Sequence, residues 1–306
     1  SPLPAGQTST SGRTTNHAGN RIQWEIHMQN DDKLLERPLI FIGPGRSGST
    51  IISEFVMAHE QLAWPTNYLE MYPRGMLTNH LRRLIDNRWW RLLGEKGQIN
   101  STLPLNNLLP RPAEAYPFWE SLVRDGIDFS RGFLLGESCT LEERDRIRSY
   151  FSRMVRAQKR QRLSLKLTGP GRIGYLQSIF PDALFINVTR EPAATIRSFL
   201  KSSFWTELGM HRLWWTGAYD SQELVHYEKI RHDPEMSTAF QLQKVISTTH
   251  EEARSCGVEL LNIRYEDFVT DPSGVIDRIL QAAGLPSSKW IERKLHFSPI
   301  HDRNRR

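Results

Sequence analysis

The chain has 306 residues, of which 39% are apolar and 24% charged, and it carries a formal net charge of +6 with a pI near 9.4. That length buries a substantial core, and the composition excludes a largely disordered chain. The positive balance calls for an anionic partner, and because the basic residues are scattered, a phosphorylated small molecule or an acidic glycan fits better than a nucleic acid polymer.

Residues 1–20 are rich in Ser, Thr, Gly and Asn, and Ile22, Trp24 and Ile26 after them alternate as in an edge strand; residues 1–36 read as a flexible arm. The apolar run Leu39 to Ile42 reads as a fully buried strand, and the spacing from Ile51 onward predicts a helix over 49–59. An aromatic stretch over 63–73 follows, carrying the acid Glu70. Residues 76–93 place Leu77, Leu81, Leu84, Ile85 and Leu92 at helical spacing opposite a basic face. Residues 94–117, broken by Gly and Pro, read as a long irregular excursion. A short helix is expected over 118–123 and an amphipathic one over 141–161, with Ile147, Tyr150, Phe151, Met154 and Val155 facing a sheet.

From residue 163 the pattern alternates. A strand over 163–167 meets a turn at 168–171 and a helix over 172–180. A strand over 184–189 meets a helix opened by Pro192 at its first position. An aromatic segment over 205–222, a long helix over 236–256, a strand over 259–263 and a helix over 272–283 stopped by Gly284 complete the chain. Such alternation predicts an α/β fold, a central parallel β-sheet flanked by helices.

Two of the strand ends carry chemistry. After Ile42 the sequence runs Gly43-Pro44-Gly45-Arg46-Ser47-Gly48-Ser49-Thr50 into a helix. Strand, glycine-rich turn and helix N-terminus together form an oxyanion site, because free N–H groups of the first turn converge there and the helix dipole favours negative charge. The loop resembles a Walker A motif but has Ser49 where that motif has its phosphate-binding lysine, and its cation is Arg46 inside the loop. One guanidinium, two or three hydroxyls and backbone amides suit a single phosphate carrying one transferable group. The second site is Thr189-Arg190-Glu191-Pro192, with Ser198 eight residues after Arg190. Arg190 stands at the carboxyl end of its strand, the side on which open α/β sheets bind ligands. Ser198 lies about two turns along the helix.

These two motifs, in this order, resemble the PAPS-dependent sulfotransferases, whose fold is a P-loop-like variant of the α/β sheet. Gly45, Arg46, Ser47, Gly48, Ser49 and Thr50 match the family's 5′-phosphosulfate loop, and Arg190 with Ser198 its 3′-phosphate site. Ile263-Arg264-Tyr265-Glu266-Asp267-Phe268 is similar to the segment whose tyrosine, here Tyr265, approaches the adenine. The resemblance implies a donor, PAPS, that leaves as PAP, and an acceptor hydroxyl or amine of a small molecule or carbohydrate attacking sulfur in line. Arg46 and the loop amides would stabilise the leaving phosphate oxygen, and nothing in the scheme requires a metal. It further implies one domain over residues 37–306, with an acceptor-side insertion at about 64–135 in which Trp64, Trp89, Trp90 and Trp119, and beyond it Trp214 and Trp215, either stack on an acceptor or belong to the core.

The general base is where the sequence departs from the family. The histidine of the phenol and alcohol enzymes falls on Thr168, which cannot serve. The glutamate of the other members falls near Thr66 or Asn67. Glu70 is the nearest acid and Glu137 the second candidate; His59 and His80 trail. A P-loop kinase-like phosphotransferase and a non-catalytic protein holding a nucleotide or sulfated glycan remain alternatives. Cys139 and Cys256, far apart and without ligand spacing, suggest a reducing, cytoplasmic setting. A luminal chain cut after an anchor is also compatible, since residue 1 is not Met. No window of about 18 apolar residues is present, so no membrane span is expected.

Overall fold

The computed structural model describes residues 33–85, 110–297 and 300. Its sheet is built outward from β1 (Leu39–Ile42), whose four consecutive apolar side chains are all buried, as a strand covered on both faces requires. Five parallel strands lie in the order β2-β3-β1-β4-β5, with β2 at Leu62–Ala63, β3 at Arg162–Lys166, β4 at Leu184–Thr189 and β5 at Leu261–Arg264. Phe41 stands opposite Lys166 on one side and Ile186 on the other. The carboxyl ends of β3, β1 and β4 therefore reach one sheet edge together.

The pleat of β1 divides the core. Ile40 and Ile42 face a cluster formed with Ile147, Phe151 and Met154 of the helix Leu141–Ala157, Leu176 of the helix Ile173–Ile179, and Trp119 and Phe129. Leu39 and Phe41 face the opposite cluster, with Ile52 and Phe55 of the helix Ser49–Val56 and Ile276 and Ile279 of the helix Pro272–Ala283. Successive side chains of a strand point to opposite faces, so a four-residue strand anchors both layers. A third cluster joins Phe199, Trp205, Trp215, Leu242 and Val245 beside the sheet.

Most element boundaries lie within two or three residues of the sequence reading. The edge strand β2 is new; two residues are too short a run to show periodicity. Residues 78–85 form two short turns, Thr78–Leu81 and Arg82–Ile85, in place of the start of one helix. The rest of the expected 76–93 helix, the arm at 1–32 and the excursion over 94–109 lie outside the described residues, as do Trp89 and Trp90. The aromatic segments go largely to the core: Trp119 stacks on Phe129 with centroids 4.5 Å apart, and Trp205 and Trp215 are buried. Both cysteines are free thiols, and among the described residues no helix is long and apolar enough to cross a membrane.

Glu143 ties the layers together. It closes a capping box with Thr140 at the start of the helix Leu141–Ala157. It also accepts from the Arg124 amide at 2.6 Å, from Arg124 Nη1 at 2.9 Å and from the Tyr175 hydroxyl at 3.3 Å. Burial alone pushes its carboxyl up, but the Thr140 and Arg124 amides and the guanidinium outweigh that and hold it below the usual carboxylate range. A depressed folded value means the stabilisation is complete above the unfolded carboxylate pKa and is lost as pH falls through the folded one. Glu143→Ala should therefore cost about 2–3 kcal/mol in urea unfolding at neutral pH. The gap to wild type should narrow in acid, where the wild-type carboxylate is itself protonated.

Candidate active site at the carboxyl edge of the sheet

The loop between β1 and the helix Ser49–Val56 is shaped by close approach. At Gly43, φ is +132 and a Cβ would stand 2.2 Å from the carbonyl oxygen of Val188 on β4, so a larger residue would collide with the neighbouring strand. Arg46 and Gly48 both lie in the left-handed region, at φ 65 and 88. Gly48 is the N-cap and offers no side-chain bond to the helix. The amides of Ser49, Thr50 and Ile51 have no acceptor within the helix, as at any helix start.

The helices that follow β3 and β4 begin differently. Glu252 accepts from the amides of Ile173 at 2.8 Å and Gly174 at 3.0 Å. Glu191 accepts from those of Ala193 at 2.9 Å and Ala194 at 2.6 Å. There the protein answers the helix dipole with its own carboxylates. At the helix after β1 the described residues supply no capping side chain. The Ser47 hydroxyl, fully buried in the same loop, makes no hydrogen bond among them either. Orphaned donors around a turn of this kind fit an oxyanion.

Cations gather at the same place. Arg46 Nε donates to Ser198 Oγ at 3.0 Å, across 152 positions of sequence. Arg190 Nη1 donates to the Arg46 carbonyl at 3.2 Å, and its guanidinium lies 4.8 Å from the centroid of the Tyr265 ring. That ring packs on Gly48, where a Cβ would stand 2.3 Å from its Cδ2. Gly45 approaches the Phe199 ring in the same way. Ser49 is buried and Thr50 half-buried in the first turn. Arg46, Ser198, Arg190 and Tyr265, expected from separate motifs, thus form one linked group.

A further cation was not foreseen from sequence. Lys166, at the end of β3 and only 7% exposed, places Nζ 3.2 Å from Thr50 Oγ1 and 3.2 Å from Glu114 Oε1. A lysine closing an otherwise apolar strand was the available signal, since lysines are seldom buried without a partner. Glu114 also accepts from Thr168 Oγ1 at 2.8 Å, while the Tyr116 hydroxyl donates to the Thr168 carbonyl at 2.6 Å. Burial and the adjacent Glu114 push the Tyr116 phenol well above its usual value, so it remains a neutral donor.

The described contacts join none of the sequence-derived candidate bases to the loop. Glu70 is exposed on the short helix Tyr68–Met71. Glu137 pairs with Arg124 at 2.5 Å, and through it joins Glu143 rather than the loop. His59 is fully buried between the Pro286 carbonyl at 3.0 Å and the Gln61 amide at 3.1 Å, and His80 is exposed.

The sequence profile of the sulfotransferase family matches residues 38–290. Among solved structures, the chain is similar to the sulfotransferase STF9 from Mycobacterium avium, with 21% identity, a TM-score of 0.53, and coverage of 90% of this chain and 71% of that one. It is also similar to the sulfotransferase STF1 from Mycobacterium tuberculosis, with 16% identity, a TM-score of 0.48, and coverage of 90% and 75%. No curated protein matches the sequence. A match over residues 38–290, which takes in the β1 loop, Arg190, Ser198 and Tyr265, assigns the chain to the sulfotransferase family.

Proposed function

We propose that the protein transfers a sulfuryl group from PAPS to a hydroxyl, or an amine, of a small-molecule or carbohydrate acceptor. The observation that carries this reading is the Arg46–Ser198 hydrogen bond, which merges the two anion motifs into one site. A donor with a phosphosulfate at one end and a second phosphate on the ribose matches a site built from two such motifs. The unanswered amides of the first helix and the orphaned Ser47 hydroxyl support the 5′ assignment, and Arg190 with Ser198 the 3′ one. The free thiols support a reducing, cytoplasmic setting.

The donor supplies an activated sulfur whose bond to the phosphate oxygen is ready to break. Everything else falls to the chain. The helix N-terminus holds the phosphate in place before reaction, so no reorganisation is needed when charge develops. Arg46 belongs to the loop and Lys166 reaches it from the end of β3, and Lys166 is the more buried of the two. A cation in a site shielded from water stabilises developing negative charge more than one in solvent does.

Three outcomes follow. Arg46→Ala should lower turnover by on the order of a hundred- to a thousandfold, measured in steady state with labelled PAPS; near-normal turnover would sink the role. Lys166→Met should show the same pattern, with turnover falling more than PAP affinity. Arg190→Ala should weaken PAP binding by about tenfold or more while leaving turnover at saturating donor close to wild type. Calorimetric titration with PAP against ATP–magnesium tests the donor class directly. A preference for ATP–magnesium would return the loop to the kinase-like phosphotransferases, and PAP binding with no transfer to any acceptor would favour a non-catalytic binding protein.

A further inference from the structure

We propose that Glu114 is the general base that removes the proton from the attacking acceptor, a role that rests on the sulfuryl-transfer reading above. The chain reaches this point by pairing with a distant segment. Asn67 and Arg111 exchange bonds at 3.0 Å each way, the Ala113 amide donates to the Pro65 carbonyl at 3.0 Å, and Thr66 bridges Pro112 in antiparallel fashion. The residue after that pairing is Glu114, which is thereby set against the ends of β3 and β1.

Its surroundings connect it to the donor loop. Lys166 is shared between Glu114 Oε1 and Thr50 Oγ1, at 3.2 Å from each. Glu114 is the carboxylate that the described contacts link to the loop in this way. Its side chain keeps 19% of its surface open, so one flank can receive an acceptor. The groups facing it are Lys166 from β3, Thr168 just beyond, and Tyr116 from the helix Tyr116–Glu120, behind which Arg172 lies 5.8 Å from the tyrosine ring. Burial pushes the carboxyl up, but the Lys166 charge, the bond from the Thr168 hydroxyl and the neighbouring Tyr116 phenol outweigh that and hold it below the ordinary range. It is a carboxylate at neutral pH.

A base of modest strength suffices here. As the bond from acceptor oxygen to sulfur forms, the bond from sulfur to the phosphate oxygen breaks and its electron pair leaves on the phosphate. The attacking oxygen becomes positively charged, its proton becomes strongly acidic, and that proton passes to Glu114 and then to solvent. Competition of the donor's anionic oxygens for Lys166 loosens its hold on Glu114 and raises the basicity of the carboxylate at the moment it is needed. The bland alternative is a carboxylate that only neutralises a buried lysine, and the two roles give different kinetics.

The test follows PAP release from PAPS by wild type, Glu114→Gln, Glu114→Asp and Glu70→Gln. The acceptors are a panel of sugar, alkyl and phenolic hydroxyls, and water alone, with PAP titration and thermal melts alongside. Glu114→Gln should bind PAP as wild type does and lose about 10²–10⁴-fold in turnover with hydroxyl acceptors. A phenol already ionised at the assay pH has no proton to give and should lose far less. In wild type, kcat/KM should fall only below the ordinary carboxylate range, and that acid limb should vanish in the Gln variant. Glu114→Asp keeps the charge opposite Lys166, so it answers the question if the Gln variant does not fold. With its carboxylate withdrawn by one methylene it should lose on the order of tenfold to a hundredfold in turnover at unchanged PAP affinity. Near wild-type turnover in the Glu114 variants, equal losses with ionised and un-ionised acceptors, or the loss appearing in Glu70→Gln instead, would overturn Glu114 as the base. A wild type that binds no PAP, or releases none with any acceptor, overturns the sulfuryl-transfer reading itself and the base with it.

Discussion

An unanswered helix start holds this site together. Three helices begin at the carboxyl edge of the sheet after β1, β3 and β4, and each presents amides that need negative charge. Glu252 and Glu191 satisfy two of them from within the chain. The helix Ser49–Val56 has a glycine cap and no such side chain. A carboxylate in the place of Gly48 would close that helix as the others are closed and would occupy the ground of the ligand. The proposed anion site is a helix start that the described residues leave uncapped. The tight contacts of Gly43 with β4 and of Gly48 with Tyr265 keep its geometry.

Around that helix start the chain gathers positive charge from different depths of the sequence. Arg46 comes with the loop, Arg190 from the end of β4 and Lys166 from the end of β3. Arg46 donates to a serine hydroxyl, Arg190 meets a backbone carbonyl and an aromatic face, and Lys166 lies between a threonine and a half-buried carboxylate. Parallel topology makes this convergence cheap, because the ends of β3, β1 and β4 lie side by side and a single cationic residue at each suffices.

The parts of the site that were legible in the sequence are those whose chemistry is local. The Gly43 to Thr50 turn carries the signature of an oxyanion site within eight residues, and Arg190 is placed by a buried strand before it and Pro192 after it. Lys166 and Glu114 were not legible in the same sense. Their meaning depends on which strand lies beside β1 and on a pairing between residues 65–67 and 111–113, and neither fact has a periodic signature. Counting from Arg46 looks for an acid at Thr66 or Asn67 and finds Glu70, close in sequence and exposed in space; the half-buried Glu114 arrives instead from across that pairing. The aromatic residues stayed open between two fates for a related reason. Trp119, Trp205 and Trp215 carry the bulk of two clusters, and composition alone does not separate a stacking platform from a core.

The pairing of Thr66 with Pro112 has an evolutionary consequence. A carboxylate positioned by backbone hydrogen bonds between two chain segments keeps its place whatever links them, provided both ends still meet. Insertions and deletions in the intervening sequence can then leave the β1 loop, Lys166 and Glu114 in register. A lineage built this way can vary the length of one segment while the contacts at the sheet's carboxyl edge are inherited unchanged.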